Sequence, residues 1–138
     1  MVTTGSCACH QIEFQYSGEP ALTALCHCID CQKWTGSAYT SNAVVSRDSF
    51  RLTKGTPKVW DIAGDTGKNN RHFFCSACGS SLYSEPEALP GKTLVKAGTL
   101  DNGAASLGGK IDLELYTKDR VNYVTSTQGA EQETAFVK

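Results

Sequence analysis

The 138-residue sequence lacks an excess of charge of either sign and lacks any long hydrophobic run. Thirteen Lys and Arg side chains are balanced by 14 Asp and Glu side chains, which leaves a net charge of −1. Because a near-neutral chain has no basic surface for phosphate groups, we expect neither nucleic acid nor membrane lipid as a partner. No apolar stretch approaches the roughly 20 residues of a membrane span, and no secretory signal is recognisable. These absences predict a cytoplasmic protein.

Helical periodicity is scarce as well. Short stretches in which apolar and polar residues alternate predominate, as expected for strands with one buried face. They lie at residues 12–16, 43–45, 58–62, 71–74, 94–97 and 111–116. Turns rich in Gly, Asn and Pro separate them, which predicts a mainly β, single domain over residues 1–138. Helix is expected only just after Cys31 and at residues 85–89.

The seven cysteines fall into three clusters, and no cysteine lies outside them: Cys7 and Cys9; Cys26, Cys28 and Cys31; Cys75 and Cys78. An odd number of cysteines, separated within clusters by one or two residues, favours metal ligation over disulfide bonds. Zinc is the usual occupant of a sulfur-rich tetrahedral site. Four thiolates saturate such a site. The outer pairs, Cys7 with Cys9 and Cys75 with Cys78, are therefore predicted to hold a structural zinc ion.

The central cluster of Cys26, Cys28 and Cys31 provides only three ligands, and the spacing leaves two interpretations open. A histidine can complete a second structural site, or the fourth position can be free for substrate. Three histidines are candidates for that fourth ligand: His10, His27 and His72. On an extended backbone the ring of His27 would point away from the metal, because neighbouring side chains alternate in direction.

An open site of this kind has a predictable chemistry. Three thiolates give a zinc centre a charge of about −1, which weakens the activation of water and suits a soft ligand such as a substrate thiolate. The site would then activate a sulfur nucleophile for attack on an electrophilic carbon. We expect residues 31–38 to line the same pocket. For Arg71 and His72, a hydrogen bond to a ligating thiolate and a cross-strand surface pair are both consistent with the sequence.

The cysteine motifs and their neighbours resemble a known family. The chain contains Cys-x-Cys, then Cys-His-Cys-x-x-Cys followed by Gln-Lys-Trp-Thr-Gly-Ser-Ala at 32–38, then Phe-Cys-x-x-Cys-Gly-Ser at 74–80. In this order they resemble the glutathione-dependent formaldehyde-activating enzyme family, which includes the centromere-protein-V-like proteins. Residues 47–50 and 97–101 add to the resemblance, which extends over about the whole chain.

The resemblance implies a β-tent fold of short antiparallel strands, organised around a structural zinc. It implies two zinc ions per chain: a structural one at Cys7, Cys9, Cys75 and Cys78, and a catalytic one at Cys26, Cys28 and Cys31. It also implies carbon–sulfur lyase chemistry, in which glutathione or another thiol adds to, or leaves, formaldehyde or another small aldehyde. No further side chain is assigned a catalytic role.

Two other functions are compatible with the sequence. One is a zinc dehydratase or hydrolase on the same scaffold, which would act without a thiol cosubstrate. The other is a non-catalytic two-zinc interaction module, which a second site filled by a histidine would favour.

Overall fold

The computed structural model describes residues 1–136. Its strands are β1 (Val2–Ser6), β2 (Glu13–Ser17), β3 (Leu22–Cys26), β4 (Thr40–Ser46), β5 (Phe50–Lys54), β6 (Lys58–Ala63), β7 (Asn69–Phe74), β8 (Ser81–Pro86), β9 (Lys92–Lys96), β10 (Leu113–Leu115) and β11 (Glu131–Gln132). The α-helix of the described part, α1 (Ile29–Thr35), follows β3. None of the helical segments within residues 1–136 has the length and apolar character needed to cross a bilayer.

The strands form two sheets, and the mainly β prediction is confirmed. The smaller sheet has the order β1-β2-β5, and the larger has the order β11-β10-β3-β4-β9-β8-β7-β6. Pairing is antiparallel throughout except at β10, which runs parallel to both β3 and β11. Since β10 and β3 are remote in sequence, this parallel contact brings the C-terminal part of the chain beside the central cysteine cluster.

The main core lies where the two sheets pack together. Phe14 and Tyr16 point inward from β2 and alternate with exposed or half-buried polar residues, as the sequence predicted. They join Val45, Leu82 and Val95 of the larger sheet in one buried cluster. Burial of such side chains contributes roughly 1.5–3 kcal/mol each, which makes this interface the principal stabilising contact between the sheets.

Five of the six predicted strands are present with ends displaced by a few residues, as β2, β4, β6, β7 and β9. The sixth is shorter than expected, because Tyr116 adopts a φ of 56° and ends β10. The helix predicted at 85–89 is wrong. Glu85 and Pro86 belong to β8, and the prolines at 86 and 90 oppose a continuous helix between them.

Candidate metal centres and the adjoining cavity

The four outer cysteines meet although they come from two distant turns. Cys7 and Cys9 lie between β1 and β2, and Cys75 and Cys78 lie between β7 and β8. Their four sulfur atoms are all within 4.8 Å of one another. The Cys7–Cys9 and Cys9–Cys75 sulfur separations are 3.6 and 3.8 Å. A tetrahedron with Zn–S bonds of about 2.3 Å has edges of about 3.8 Å, so the donor set fits zinc.

Backbone donors around this cluster favour thiolates. The N–H of Ile12 donates to the Cys7 sulfur at 3.3 Å, and the N–H of Cys78 donates to the Cys75 sulfur at 3.4 Å. Hydrogen bonds from the hydroxyl and N–H of Ser80 lower the pKa of Cys78 to about 5. Gly79 has a φ of 78°, which a residue without a Cβ adopts most readily, and so closes the second turn. Each turn therefore directs a backbone N–H group at one sulfur of the cluster.

The central cluster is built from the end of β3 and the start of α1. Cys26 is the last residue of β3, Cys28 is the N-cap of α1, and Cys31 lies in the first turn. The N–H of Cys31 donates to the Cys28 sulfur at 3.2 Å, which begins the helix and orients that side chain. The three sulfurs lie within 4.8 Å of one another. This geometry suits three of the four ligands of a tetrahedral zinc site.

The electrostatic surroundings select Cys31 as the most readily ionised sulfur of this triad. Hydrogen bonds from Cys26 and Cys28 lower the pKa of Cys31 to about 2, although burial opposes the change. The positive charge of Lys96 and the Thr40 hydroxyl lower that pKa further; the Thr40 Oγ1 donates to the Cys31 sulfur at 3.3 Å.

Within residues 1–136, no histidine belongs to the ligand group of the central triad. His10 lies beside the other cluster, with its Nδ1 3.1 Å from the Ser6 hydroxyl. The ring of His27 points away from the sulfurs, as expected, and contacts Glu114. The Nδ1 of His72 contacts the carbonyl of Asn70 at 2.9 Å.

Glu114 holds the loop between two of the ligands. Its carboxylate is entirely buried and contacts His27 at 2.6 Å. It also accepts hydrogen bonds from the Thr127 N–H at 2.6 Å, from Gln132 at 3.0 Å and from Arg120 at 3.2 Å. Burial alone would raise the pKa of Glu114, but these hydrogen bonds lower it to about 2. The ionised carboxylate thus fixes the backbone between Cys26 and Cys28.

A cavity of about 300 Å³ opens beside the triad. Its polar wall contains all three cysteines together with side chains of the larger sheet: Thr40, Asn42, His72, Ser84 and Lys96. Its apolar wall is formed by residues such as Leu22, Leu94 and Leu113. A polar group of defined shape at the end of an apolar pocket is typical of a small-molecule site.

The expectation that residues 31–38 line this pocket is wrong beyond Cys31. Gln32 is turned to the carbonyls of His27 and Asp119, to which its amide donates at 2.8 and 3.0 Å. The Thr35 hydroxyl donates to the Cys31 carbonyl at 2.8 Å, one turn earlier in the same helix. These side chains support the helix and do not face the cavity.

Arg71 and His72 have different surroundings. Arg71 forms an exposed cross-strand pair with Asp61 at 2.9 Å. His72 is buried, lies in the cavity wall and packs against the edge of Trp34, with ring centroids 4.5 Å apart. Burial lowers the pKa of His72 below its ordinary value, and the charge of Lys96 acts in the same direction. A neutral imidazole is therefore favoured beside the triad.

Comparison with known proteins is consistent with these motifs. A sequence model of the family described as glutathione-dependent formaldehyde-activating enzyme matches residues 2–119. The chain belongs to this family. The part that matches the glutathione-dependent formaldehyde-activating model contains all seven cysteines and most of the cavity wall. The resemblance stated from the motifs is confirmed.

The fold is also shared with a solved structure. A crystal structure of a Rhodobacter sphaeroides protein superimposes with a TM-score of 0.63, at 20% sequence identity. The match covers 78% of this chain and 96% of that chain. At this level of identity the likeness shows the fold alone.

Proposed function

We propose that this protein is a zinc-dependent carbon–sulfur lyase that acts on a thiol such as glutathione and a small aldehyde. The observation that carries the proposal is the convergence of three cysteine sulfurs in the wall of one cavity. Among the described residues, the central cluster offers three metal ligands, whereas the other cluster offers four. Family membership supports glutathione and formaldehyde as the reactants.

Two zinc ions per chain fit the two donor sets. Cys7, Cys9, Cys75 and Cys78 would hold the structural ion, and the central triad would hold the catalytic one. When bound there, zinc would supply a soft cation that keeps a substrate thiol ionised at neutral pH. The β-tent architecture, a single domain over residues 1–138 and a cytoplasmic location, where thiols stay reduced, belong to the same proposal.

The protein's own residues prepare the reaction. The His27–Glu114 contact and the N-cap of α1 orient the sulfur ligands. Apolar side chains of the cavity wall, such as Leu22 and Leu94, would reduce the hydration of a bound thiolate and so increase its reactivity toward a carbonyl carbon. Attack forms the carbon–sulfur bond while the carbonyl π electrons move to oxygen, which then takes up a proton from water.

The test is a glutathione titration of zinc-loaded protein, combined with metal analysis by mass spectrometry. The wild-type protein is expected to contain two zinc ions and to bind glutathione saturably. Cys28→Ser is expected to retain one ion and to bind glutathione more weakly by about 100-fold or more. S-methylglutathione, which has no free thiol, is the matched control ligand and is expected to bind weakly to both proteins.

Other results would indicate the alternative functions. Equal affinities for glutathione and its S-methyl derivative would remove the thiol from the proposed mechanism. Turnover of an aldehyde hydrate or ester without any thiol would then favour a hydrolase or dehydratase. An absence of both thiol binding and turnover would favour a non-catalytic interaction module.

A further inference from the structure

Lys96, the last residue of β9, carries a buried amino group in the cavity wall. Lys96 as a whole is 8% exposed to solvent. The Nζ donates to Asn42 Oδ1 at 2.5 Å and to Ser84 Oγ at 3.1 Å, and it lies 5.6 Å from the centre of the Trp34 ring. An ammonium group has three N–H donors. One of them has no oxygen or nitrogen acceptor among residues 1–136.

A chain of hydrogen bonds connects this amino group to the triad. Asn42 accepts from Lys96 through Oδ1, so its Nδ2 is the donor to Thr40 Oγ1 at 3.0 Å. Because Thr40 Oγ1 accepts this bond, its own hydrogen is directed to the Cys31 sulfur at 3.3 Å. Lys96, Asn42 and Thr40 are buried, and Cys31 is half-buried. The direction of every bond is consistent with a cation at Lys96 and a thiolate at Cys31.

The charge of Lys96 has no carboxylate partner within the described residues. The ion pairs of residues 1–136 involve other groups, and the three cysteines line the same cavity as Lys96. Burial lowers the pKa of Lys96, and the cysteines oppose that change. A buried charge is retained only when it is paired and hydrogen-bonded. The cysteine triad, which lines the same cavity and is joined to Lys96 by the hydrogen bonds above, is therefore the group that can compensate this charge.

We propose that Lys96 is a catalytic residue that binds the oxygen of the aldehyde while the thiolate attacks the adjacent carbon. This inference rests on the proposed function and adds the electrophile subsite to it. The free N–H donor and the positive charge are placed to stabilise the negative oxygen that forms as the carbonyl group is attacked.

The step is balanced without any further reactant. The thiolate electron pair forms the carbon–sulfur bond, and the carbonyl π pair moves to the oxygen, which accepts a hydrogen bond from Lys96. A proton from water completes the hydroxyl group and replaces the proton that the thiol released on ionisation. In the reverse direction, loss of that proton regenerates the carbonyl group and the carbon–sulfur bond breaks.

Two glutathione derivatives of similar shape test this subsite by binding alone. S-sulfoglutathione places anionic oxygens two bonds from the glutathione sulfur, where the developing oxyanion would lie. S-tert-butylglutathione places methyl groups at the same positions. A charge-assisted hydrogen bond corresponds to roughly a 10- to 100-fold difference in affinity, so the wild-type protein is expected to prefer the sulfo derivative by that factor.

Lys96→Met is expected to abolish the preference, and Lys92→Met is the matched control. Lys92 lies on the same strand, outside the cavity wall, so its substitution should preserve the preference. With glutathione and formaldehyde, Lys96→Met should lower kcat by about 100-fold or more, the usual effect of losing one oxyanion donor, with a smaller change in the Kd for glutathione. Lys96→Gln, which retains an N–H donor toward Asn42, is the second variant if the methionine variant does not fold.

The outcomes separate this inference from the proposed function. If glutathione binds but wild-type protein shows no preference for S-sulfoglutathione, the role of Lys96 is overturned and the thiol site stands. A preference that persists in a folded Lys96 variant overturns it equally. If neither glutathione nor the derivatives bind, both proposals fail. If both Lys96 variants are unfolded, the wild-type preference decides alone.

Discussion

The Nε2 of His27 lies 2.6 Å from the Oε1 of Glu114, and neither side chain is exposed to solvent. These residues are 87 positions apart in the chain. Since an ionised carboxylate only accepts hydrogen bonds, His27 donates the shared proton. The contact ties the backbone between Cys26 and Cys28 to β10. The geometry of the central triad therefore depends on a strand that contributes no sulfur.

Glu114→Gln is expected to destabilise the protein by about 3 kcal/mol, because it removes the buried charge to which four groups donate hydrogen bonds. The free energy of unfolding of the zinc-loaded protein in urea measures this change. Asp61→Asn is the matched control, since it removes a carboxylate from the exposed pair with Arg71. Exposed pairs contribute little, so the control should change stability by less than about 1 kcal/mol.

The effect of Glu114→Gln should also depend on pH. The folded-state pKa of Glu114 is about 2, below its ordinary value of 4.5. A carboxyl group whose pKa is lower in the folded than in the unfolded protein stabilises the folded state at pH values above the unfolded pKa. This stabilisation is lost as the pH falls toward the folded pKa. The difference between wild type and variant should thus shrink between pH 4.5 and about 2. A constant difference across that range would contradict the assignment.

Loss of a ligand should have different consequences in the two cysteine clusters. A structural zinc–sulfur site contributes on the order of 10 kcal/mol to folding, comparable with the whole stability of a small domain. We therefore expect Cys9→Ser to be largely unfolded at 25 °C. Cys28→Ser should remain folded with one zinc ion fewer, because the His27–Glu114 contact and α1 still hold the loop. Circular dichroism and metal analysis of both variants provide the measurement.

Comparable unfolding of the two variants would show that both clusters are structural, which would favour the interaction module. A folded Cys9→Ser variant with two bound ions would contradict the four-ligand assignment.

Gly5 marks a close approach between β1 and the core. A Cβ at this position would lie 2.5 Å from the Cζ of Phe14 and 2.7 Å from the carbonyl oxygen of Thr99. Gly5→Ala is expected to destabilise the protein by roughly 1–3 kcal/mol, because the backbone oxygen cannot move aside freely. A Cβ on Gly98 would meet no atom within 4 Å. Gly98→Ala should therefore stay within about 0.5 kcal/mol of wild type, as measured by thermal unfolding.

The strands with clear alternation could be predicted from the sequence, but the larger sheet's order could not. Alternation at 12–16 and 58–62 reports burial of one face, which is a local property of β2 and β6. The parallel pairing of β10 with β3 is determined by contacts between segments nearly 90 residues apart. For the same reason, the pattern at 111–116 gave no sign that Glu114 is buried between two neighbouring strands.

For the candidate site, the cysteines were accessible to sequence reasoning because each pair or triad is local. The part of the cavity wall that Asn42 and Lys96 form was not accessible in this way. Asn42 and Lys96 each adjoin a short apolar stretch of their strand, a pattern that equally describes a surface position. Only their pairing across β4 and β9, in register at these two residues, brings them together beside the triad. A polar residue beside the apolar stretch of each strand is the sequence signal of this part of the site.

The placement of β10 also affects the order in which the molecule can mature. All four outer cysteines have left the ribosome once Cys78 has emerged. Strand β10, which contacts the loop between Cys26 and Cys28 through Glu114, is synthesised about 35 residues later. If the two clusters hold zinc as proposed, we expect the nascent chain to fill the four-cysteine cluster first and the central triad last. In that order the proposed catalytic site would stay inactive until the cavity wall around it has folded.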